Sequence, residues 1–334
     1  MVKVSLQDIA KKVGVSKTTA SFVLNGLGKQ KRISDDIINK ILATALELNY
    51  KPHRLARSLR TGNTNVLGVI VIDIANHFYS KLSRAIENCA AEHGYRVMIC
   101  SSDEKDTLLA EWVDELVDNK VEGLIIAPTV HARPKLQELK KTGYPFVLVD
   151  RHFPDIETDF VGIDNLQASY NATSLLIKEG YRNIAVIGFE PLLDVMHQRI
   201  EGYKNAILEH GLLLNGNNIR TVSYKDTREQ VRHHVTDLVK SNIRAILFTS
   251  NRIGVTGLQQ LSEMKVRIPL DIAVITYDDN EFFPLMSPSI TAISQPIDEM
   301  GRQAVNLLLD RLKHPDKEFQ KLLLIAELIP RNSV

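Results

Sequence analysis

Cysteine is scarce in this sequence, and long apolar runs are absent from it. The two cysteines, Cys89 and Cys100, form no CxxC pair and no cluster with metal-ligand spacing. They predict small buried side chains in a reducing compartment, not a disulfide framework. No apolar run approaches the roughly 18 residues of a membrane-spanning helix, and residues 1–21 lack the apolar core of a secretion signal. We therefore expect a soluble, cytoplasmic protein.

Common catalytic and metal-binding motifs are also missing. The sequence contains no GxSxG, GxxxxGK[ST] or HExxH motif, and His233-His234 has no acidic or cysteine partner at metal-ligand spacing. We expect no catalytic residue, no metal and no cofactor. With 17 Gly, 12 Pro and 44% hydrophobic residues among 334, the composition excludes collagen-like and disordered chains. It is typical of two or three globular domains.

The charges are distributed unevenly along the chain. Of 41 basic and 40 acidic residues, residues 1–62 hold twelve and four, a net charge of +8. The remaining 29 basic and 36 acidic residues give residues 63–334 a net charge of −7. A small basic head on an acidic body indicates that the head meets a polyanion. A solvated basic surface is the alternative explanation.

Two short helices joined by a tight turn are predicted near the N-terminus. The apolar residues of the first have helical spacing: Leu6, Ile9, Ala10 and Val13. Ser5 is placed as its N-cap, with Asp8 as capping-box partner, and Gly14 ends it. The second helix is predicted from Lys17 to Asn25, with Ser16 as N-cap. This spacing is typical of a helix-turn-helix unit, whose second helix enters the major groove of DNA, although three-helix units without a DNA role also occur.

Two further helical segments follow the helix-turn-helix. A third amphipathic helix is predicted from Ser34, and its apolar face comprises Ile37, Ile38, Ile41, Leu42, Ala45 and Leu46. Residues 50–62 predict a proline-started helix of one to two turns that ends at Gly62 and is too short to be stable alone. The runs LQDIAKKVGVSKTTASFVLNG and YKPHRLARSLRTGNTNVLGVIV strongly resemble the LacI/GalR family of bacterial transcription regulators. The resemblance extends over essentially the whole chain.

The resemblance implies DNA-binding roles in the head. It assigns base reading to Lys17, Thr18 and Phe22, and mostly phosphate contact to Ser16, Thr19, Ser21 and Asn25. It places His53, Ala56 and Leu59 in a hinge helix whose leucine wedges into the minor groove. Phe22 stands where relatives often carry Arg or His, which favours contact with a thymine methyl group; packing against the third helix is the alternative. His53 replaces the usual Asn.

The body alternates short β-rich runs with amphipathic segments, which predicts parallel doubly wound sheets. Strands are predicted at 66–72, 95–100, 122–126, 145–149, 183–188, 219–223, 243–248 and 272–276. Helices are predicted near 79–93, 105–119, 132–142, 165–179, 196–209, 227–239 and 252–263. The number of strands fits two sheets better than one. The predicted fold is therefore multidomain, with an all-α helix-turn-helix head and a two-lobed α/β core that resembles periplasmic binding proteins.

We expect three segments along the chain. Residues 1–50 form the DNA-binding domain, residues 51–62 the hinge helix and linker, and residues 63–334 the effector-binding and dimerisation core. Within the core, the N-lobe is expected to comprise about 63–161 and 292–322. The C-lobe is expected to comprise about 162–291 and 323–334.

Polar residues recur where the predicted strands end, and ligands of such sheets bind at the carboxyl ends of the strands. The resemblance implies an effector between the lobes, with Phe78 and Tyr79 stacking on it and Arg199 and Asp278 bonding it from opposite sides. The complete expected set is Asp73, Phe78, Tyr79, Asp150, Arg151, Arg199, Asp226, Ser250, Asn251 and Asp278. A structural Arg199–Asp278 ion pair is the alternative. Guanidinium and carboxylate groups suit sugars or sugar acids, whereas Arg151 and Asp226 at expected aromatic positions argue against a nucleobase.

These features predict a repressor of carbohydrate-utilisation genes that acts on the bacterial nucleoid. Its partners are an inverted-repeat operator, a small sugar or sugar-derivative effector, and a second copy of the chain. The resemblance places the dimer interface on helices 79–93 and 252–263, whose Leu82, Ile86, Leu258 and Leu261 are alternatively intralobe core. A sugar-processing enzyme would need a base or nucleophile that is not evident. A secreted binding protein would need an export signal and has no use for residues 1–62.

Overall fold

The chain divides into two compact units, residues 1–64 and 65–334. The computed structural model describes residues 4–48, 50 and 64–334. Within these ranges, no helix is both long enough and apolar enough to cross a bilayer.

In the described residues of the first unit, the head, there are three helices: α1 (Leu6–Val13), α2 (Lys17–Leu24) and α3 (Asp35–Glu47). The capping box predicted for α1 is confirmed, since Ser5 N–H donates to the Asp8 carboxylate at 2.8 Å and Ser5 Oγ accepts from Asp8 N–H at 3.3 Å. Gly14 ends α1 with φ of 77°, a conformation that glycine adopts without strain. Ser16 Oγ accepts from Thr19 N–H at 3.0 Å and caps α2. The tight turn therefore follows from two local caps.

The core of the head is small and lies where the three helices meet. Ile9, Val23, Ile41 and Ala45 form its buried cluster among the described residues, and Ala10 and Ala20 are buried as well. The sequence-based prediction for α3 was wrong at two positions, because Leu42 is 42% exposed and Leu46 is 79% exposed. These residues flank the buried stripe of Ile41 and Ala45, and a three-helix unit of this size covers only the centre of the apolar face.

The second unit, the core, contains two six-stranded sheets. The strands of the first are β1 (Val66–Val71), β2 (Arg96–Ser101), β3 (Leu124–Ile126), β4 (Phe146–Val149), β5 (Asp159–Ile163) and β11 (Lys321–Leu324). Their order is β11-β5-β4-β3-β1-β2, and all pairings are parallel. Four helices surround this sheet: α4 (His77–Glu92), α5 (Asp106–Asp118), α6 (Arg133–Thr142) and α11 (Ile297–Lys313).

The second sheet repeats this arrangement. Its strands are β6 (Ile184–Phe189), β7 (Ile219–Val222), β8 (Ala245–Phe248), β9 (Ala273–Tyr277), β10 (Thr291–Ser294) and β12 (Glu327–Ile329). Their order is β12-β10-β9-β8-β6-β7, and β12 alone pairs antiparallel, with β10. The helices of this lobe are α7 (Asn165–Lys178), α8 (Asp194–Glu209), α9 (Thr227–Lys240) and α10 (Asn251–Glu263). The prediction of two doubly wound sheets is confirmed.

The chain crosses between the sheets three times. The crossings follow Ile163, Ser294 and Leu324, whereas the expected lobe boundaries were at 161, 291 and 322. The eight predicted strands are present, and the sequence analysis did not predict β5, β10, β11, β12 or α11.

The four apolar residues considered for a dimer interface are interior residues. Leu82, Ile86 and Leu261 are fully buried and Leu258 is 5% exposed, so the intralobe alternative is correct. On α10, a Cβ at Gly254 would lie 2.0 Å from Thr276 Oγ1, so the helix lies close against the sheet. The N-terminus of α10 is thereby held beside the end of β9.

Candidate functional site

The second helix of the head presents the predicted base-reading residues. Lys17 and Thr18 are exposed on the first turn of α2, and Phe22 is partly buried. Phe22 is not among the apolar residues packed on the head core, and Lys31 Nζ lies 5.3 Å from the centroid of its ring. Both the base-reading role of Phe22 and its packing against the third helix remain predictions.

The predicted phosphate-contacting residues line the two ends of α2. Ser16 and Thr19 share a hydroxyl hydrogen bond of 2.8 Å at the N-terminus. Asn25 Nδ2 donates to the Ser21 carbonyl at 2.6 Å at the C-terminus. The three predicted hinge residues, His53, Ala56 and Leu59, lie outside the described residues. The head thus offers one polar, basic helix end that is fixed by its own caps.

A cavity of about 60 Å³ lies between the two lobes of the core. Eight of the ten predicted effector residues line it: Phe78, Tyr79, Asp150, Arg151, Arg199, Ser250, Asn251 and Asp278. Phe78 and Tyr79 make an edge-to-face pair with centroids 5.0 Å apart. The two remaining residues, Asp73 and Asp226, are not brought to the cavity. Asp73 accepts a hydrogen bond from Ala75 N–H in the turn after β1.

The first lobe contributes a buried network of charged and phenolic groups. Tyr79 donates from its hydroxyl to Asp150 Oδ2 at 2.7 Å. The guanidinium of Arg151 donates to both carboxylate oxygens of Glu104, at 2.7 and 3.0 Å, and lies 3.6 Å from Asp150. Burial raises the pKa of Tyr79 well above its ordinary value, so this hydroxyl is a permanent donor. Glu104 was not predicted from the sequence, because it lies outside the cavity and acts through Arg151.

The second lobe contributes a carboxylate that is held by two donors. Asp278 accepts from Asn251 N–H at 3.1 Å and from Gln295 Nε2 at 2.6 Å. Burial raises the pKa of Asp278 above its ordinary value, and the charge of Arg199 acts in the opposite direction. The other amide atom of Gln295, Oε1, is buried and has no hydrogen-bond partner in the part of the chain that the structure describes. Such a group at a polar cavity is available to a ligand hydroxyl.

Arg199 is positioned by neutral groups. Its Nε donates to Asn165 Oδ1 at 2.8 Å, and a terminal nitrogen donates to the Thr249 carbonyl at 2.7 Å. The guanidinium lies 4.2 Å from the centroid of the Tyr277 ring. Arg199 and Asp278 do not form an ion pair. Among the described residues, no carboxylate oxygen lies within 4.0 Å of a guanidinium nitrogen of Arg199. The structural ion-pair alternative is therefore wrong.

An aromatic wall closes the second-lobe side of the cavity. The rings of Phe189 and Tyr224 lie 5.7 Å apart, and the guanidinium of Arg252 lies 4.4 Å from the Tyr224 centroid. The interpretation that Asp226 fills the aromatic position was wrong, because Tyr224 supplies the ring and Asp226 is an exposed residue that precedes α9. Asp226 therefore does not exclude a flat nucleobase from the cavity.

Direct hydrogen bonds join the lobes at the rim of the cavity. Asn76, the N-cap of α4, exchanges two side-chain amide hydrogen bonds with Asn251 of the second lobe, at 2.9 and 3.2 Å. Nearby, Lys81 and Glu281 form an ion pair of 3.0 Å. Val195 from the start of α8 packs within a hydrophobic cluster of the first lobe. The cleft is therefore closed in this structure.

Comparison with known proteins agrees with this architecture. Residues 5–53 match the model for bacterial regulatory proteins of the lacI family, and residues 173–334 match a periplasmic binding protein-like domain. The chain is 30% identical to the ribose operon repressor of Escherichia coli strain K12, over 98% of this chain and 99% of the relative. The chain belongs to the lacI family. It is a DNA-binding transcriptional regulator with an α/β core, and its relatives are regulators, not enzymes.

Two solved structures extend the comparison. A LacI family regulator from Enterococcus faecium with bound ribose matches with a TM-score of 0.72 at 28% identity, over 80% of this chain and 98% of that chain. The lac repressor dimer bound to operator and the anti-inducer ONPF matches with a TM-score of 0.86 at 22% identity, over 99% of both chains. The second match shows a shared fold along nearly the whole chain.

Proposed function

We propose that this protein is a repressor of carbohydrate-utilisation genes, and that a small sugar bound between the core lobes controls its affinity for an operator. The observation that carries the proposal is the closed interlobe cavity. There, two buried carboxylates, Asp150 and Asp278, and the guanidinium of Arg199 face one enclosed space. Carboxylates accept from sugar hydroxyls, and a planar guanidinium donates to vicinal oxygens. The ribose-binding and repressor relatives support the same assignment.

The head supplies the DNA contact in this proposal. Lys17, Thr18 and Phe22 read base edges from α2, while Ser16, Thr19, Ser21 and Asn25 hold the phosphates. Leu59, beside Ala56 and His53, acts as the minor-groove wedge. Because only a kinked specific site uses the wedge, Leu59→Ala is expected to weaken specific binding more than nonspecific binding.

The repressor acts as a homodimer, since an inverted-repeat operator needs two heads. Exposed apolar residues on both lobes support an interface there. In the first lobe these are Ile74, Met98 and Ile99, and Met98 and Ile99 lie on the edge strand β2. In the second lobe they are Phe282, Leu285 and Met286. Light scattering of the free protein is expected to give about two chains at micromolar concentration, and Ile99→Glu is expected to lower that mass.

Effector control works through the difference in affinity of the sugar for two states of the core. A sugar that stabilises the closed cleft and separates the N-lobes of the dimer would melt the hinge helices and release DNA. In corepression, the sugar binds the same site but raises the affinity for the operator. A mobility-shift titration on an inverted-repeat operator, with and without each sugar that raises the unfolding temperature, decides between them.

The test of the whole proposal has two parts. A thermal-shift screen against a sugar library is expected to identify binders, and the same sugars are expected to change operator affinity. Hydrolysis and phosphorylation assays on those sugars are expected to show no turnover. Turnover without any effect on DNA binding would overturn the regulator assignment in favour of a sugar-processing enzyme.

A further inference from the structure

The charges around the interlobe cavity balance one another. Three guanidinium groups, those of Arg151, Arg199 and Arg252, line the cavity together with the carboxylates of Asp150 and Asp278. Glu104 contributes a third carboxylate through its contact with Arg151. The set is neutral only when Glu104 is counted, since the lining residues alone carry one excess positive charge.

Hydrogen bonds and burial fix the carboxylate of Glu104 beside the guanidinium of Arg151. This carboxylate accepts two hydrogen bonds from one nitrogen of Arg151, and Oε1 also accepts from Val130 N–H at 3.2 Å. The side chains of the pair are 7% and 9% exposed, so water screens the interaction little. The backbone of Glu104 has a φ of 56°, a conformation that a non-glycine residue adopts at some cost.

The two arginines nearest the buried carboxylates differ in their partners. Arg199 donates to a side-chain amide and a backbone carbonyl, both neutral. Arg151 has two carboxylates, Glu104 and Asp150, within ion-pair distance. Arg151 therefore has little remaining attraction for an anionic ligand, although it lines the cavity.

We propose that Glu104 is a specificity-determining residue that disfavours sugar acids relative to uncharged sugars by neutralising the guanidinium of Arg151, so that Arg199 is left as the cavity arginine without a carboxylate partner. This inference rests on the proposed sugar effector and deepens it by naming the charge class of the ligand. Glu104 acts through Arg151 and does not itself contact the sugar. Without its charge, Arg151 keeps Asp150 as its one carboxylate partner, its attraction for a ligand carboxylate rises, and the cleft binds sugar acids more tightly.

The test compares full-length wild type and Glu104→Gln by isothermal titration against matched sugar pairs. The probes are glucose with glucuronate, galactose with galacturonate, and ribose with ribonate. Glutamine keeps an acceptor for Arg151 and removes only the charge. We expect wild type to prefer the neutral member of the pair it binds. In Glu104→Gln, the ratio of neutral to acid affinity is expected to fall about tenfold or more, because a charge-assisted hydrogen bond to the ligand becomes available.

Two further variants test the same charge balance, and Arg151→Gln keeps the proposal testable if Glu104→Gln does not fold. Arg151→Gln leaves Glu104 as an excess negative charge and is expected to weaken acid binding relative to wild type. The double variant Glu104→Gln/Arg151→Gln is again neutral and is expected to restore the wild-type preference. Glu263→Gln is the matched control, because Glu263 pairs with Arg232 on an exposed surface.

The outcomes separate this inference from the proposed function. A wild-type preference for the acid, or a ratio that is unchanged across the variants, overturns the role of Glu104 while the sugar effector stands. Failure of every neutral and acidic sugar to bind wild type overturns the sugar effector and the role of Glu104 together.

Discussion

Asp150 and Asp278 occupy equivalent positions in the two lobes. Asp150 follows β4 and Asp278 follows β9, each the third strand in the order of its sheet. Their φ angles are 65° and 66°, and each backbone N–H donates at 2.9 Å to a carbonyl of the neighbouring strand, Val161 or Ile293. The same backbone turn thus directs one carboxylate into the cavity from each side.

The first prediction concerns the cost of the buried charge at Asp278. Burial raises the pKa of its carboxyl, so the ionised form destabilises the fold at pH values above that pKa. We expect Asp278→Asn to raise the unfolding midpoint at pH 7 by about 1–3 °C, because Gln295 can rotate its amide to match asparagine. The difference from wild type should shrink as pH falls through the raised pKa towards 3.8, the ordinary value.

A carboxyl group whose pKa is lowered, and not raised, provides the control for this prediction. A hydrogen-bonded ion pair with Arg267 lowers the pKa of Asp271 to about 2. Asp271→Asn is therefore expected to lower the midpoint slightly or leave it unchanged at pH 7. A lower midpoint for Asp278→Asn, measured by calorimetry across pH, would contradict the prediction.

The second prediction separates effector binding from DNA binding. Arg199→Ala is expected to weaken effector binding by about 2 kcal/mol or more, because buried polar partners lose their donor. Operator affinity should remain close to wild type, since Arg199 belongs to the core and the DNA contacts belong to the head. Arg232→Ala removes a half-buried arginine of the same lobe, which pairs with Glu263 away from the cavity, as control. Normal titration of the effector into Arg199→Ala would exclude the residue from the site.

The third prediction concerns base reading by α2. Phe22→Ala or Lys17→Ala is expected to relax base preference at one half-site position, with a loss of discrimination of about 1–3 kcal/mol. Lys40→Ala, on the exposed face of α3 where Lys40 pairs with Asp36, should leave base preference unchanged. Binding to a library of operator variants measures the preference. The same preference in Phe22→Ala and wild type would show that the ring does not read bases.

The fourth prediction concerns the amide pair that joins the lobes. Asn76→Ala and Asn251→Ala are each expected to weaken effector binding, because each leaves the other amide without its partner. The double variant should lose less than the sum of the single losses, with a coupling energy of about 0.5–3 kcal/mol. Combination of Asn76→Ala with Asn119→Ala, an exposed helix-end residue, should be additive. Additivity in both cycles, measured by titration calorimetry, would mean that the pair does not act as a unit.

The fifth prediction concerns a buried ion pair between α11 and the start of β5. Arg311 on α11 donates to Asp159 at 2.9 Å and to the carbonyl of Pro315 at 2.9 Å, with both charged side chains buried. Arg311→Met leaves the Asp159 carboxylate uncompensated and is expected to cost about 3–5 kcal/mol of unfolding free energy. Arg302→Met, on an exposed position of the same helix, is the control. Similar urea midpoints for the two variants would refute the prediction.

The sequence alone predicts those elements whose local signals are strong. The caps of α1 and α2 need only Ser5, Asp8, Gly14 and Ser16, and these residues act as expected. The strands that were missed are short or lie at sheet margins. β11 and β12 are four and three residues long and contain no buried residue. Their pairing depends on crossings between lobes, which local pattern does not report.

The cavity could be predicted in outline but not in its contacts. Residues that follow strands were found because parallel strands end at one edge. Tyr224 was missed because loop length after β7 places it, and not Asp226, at the cavity. Glu104 was missed because its effect depends on a contact 47 residues along the chain from Arg151. Contacts of this kind arise only from the tertiary fold.

Gln295 directly follows β10, at one of the three crossings between the lobes, and it also holds Asp278. A rotation of one lobe against the other displaces atoms in proportion to their distance from the axis. Residues at a crossing therefore travel least, and the outer ends of the lobes travel most. The hydrogen bond between Gln295 and Asp278 lies at such a crossing. A ligand hydroxyl that binds Asp278 therefore acts beside a crossing, at a point from which a small displacement corresponds to a larger one at the outer ends of the lobes.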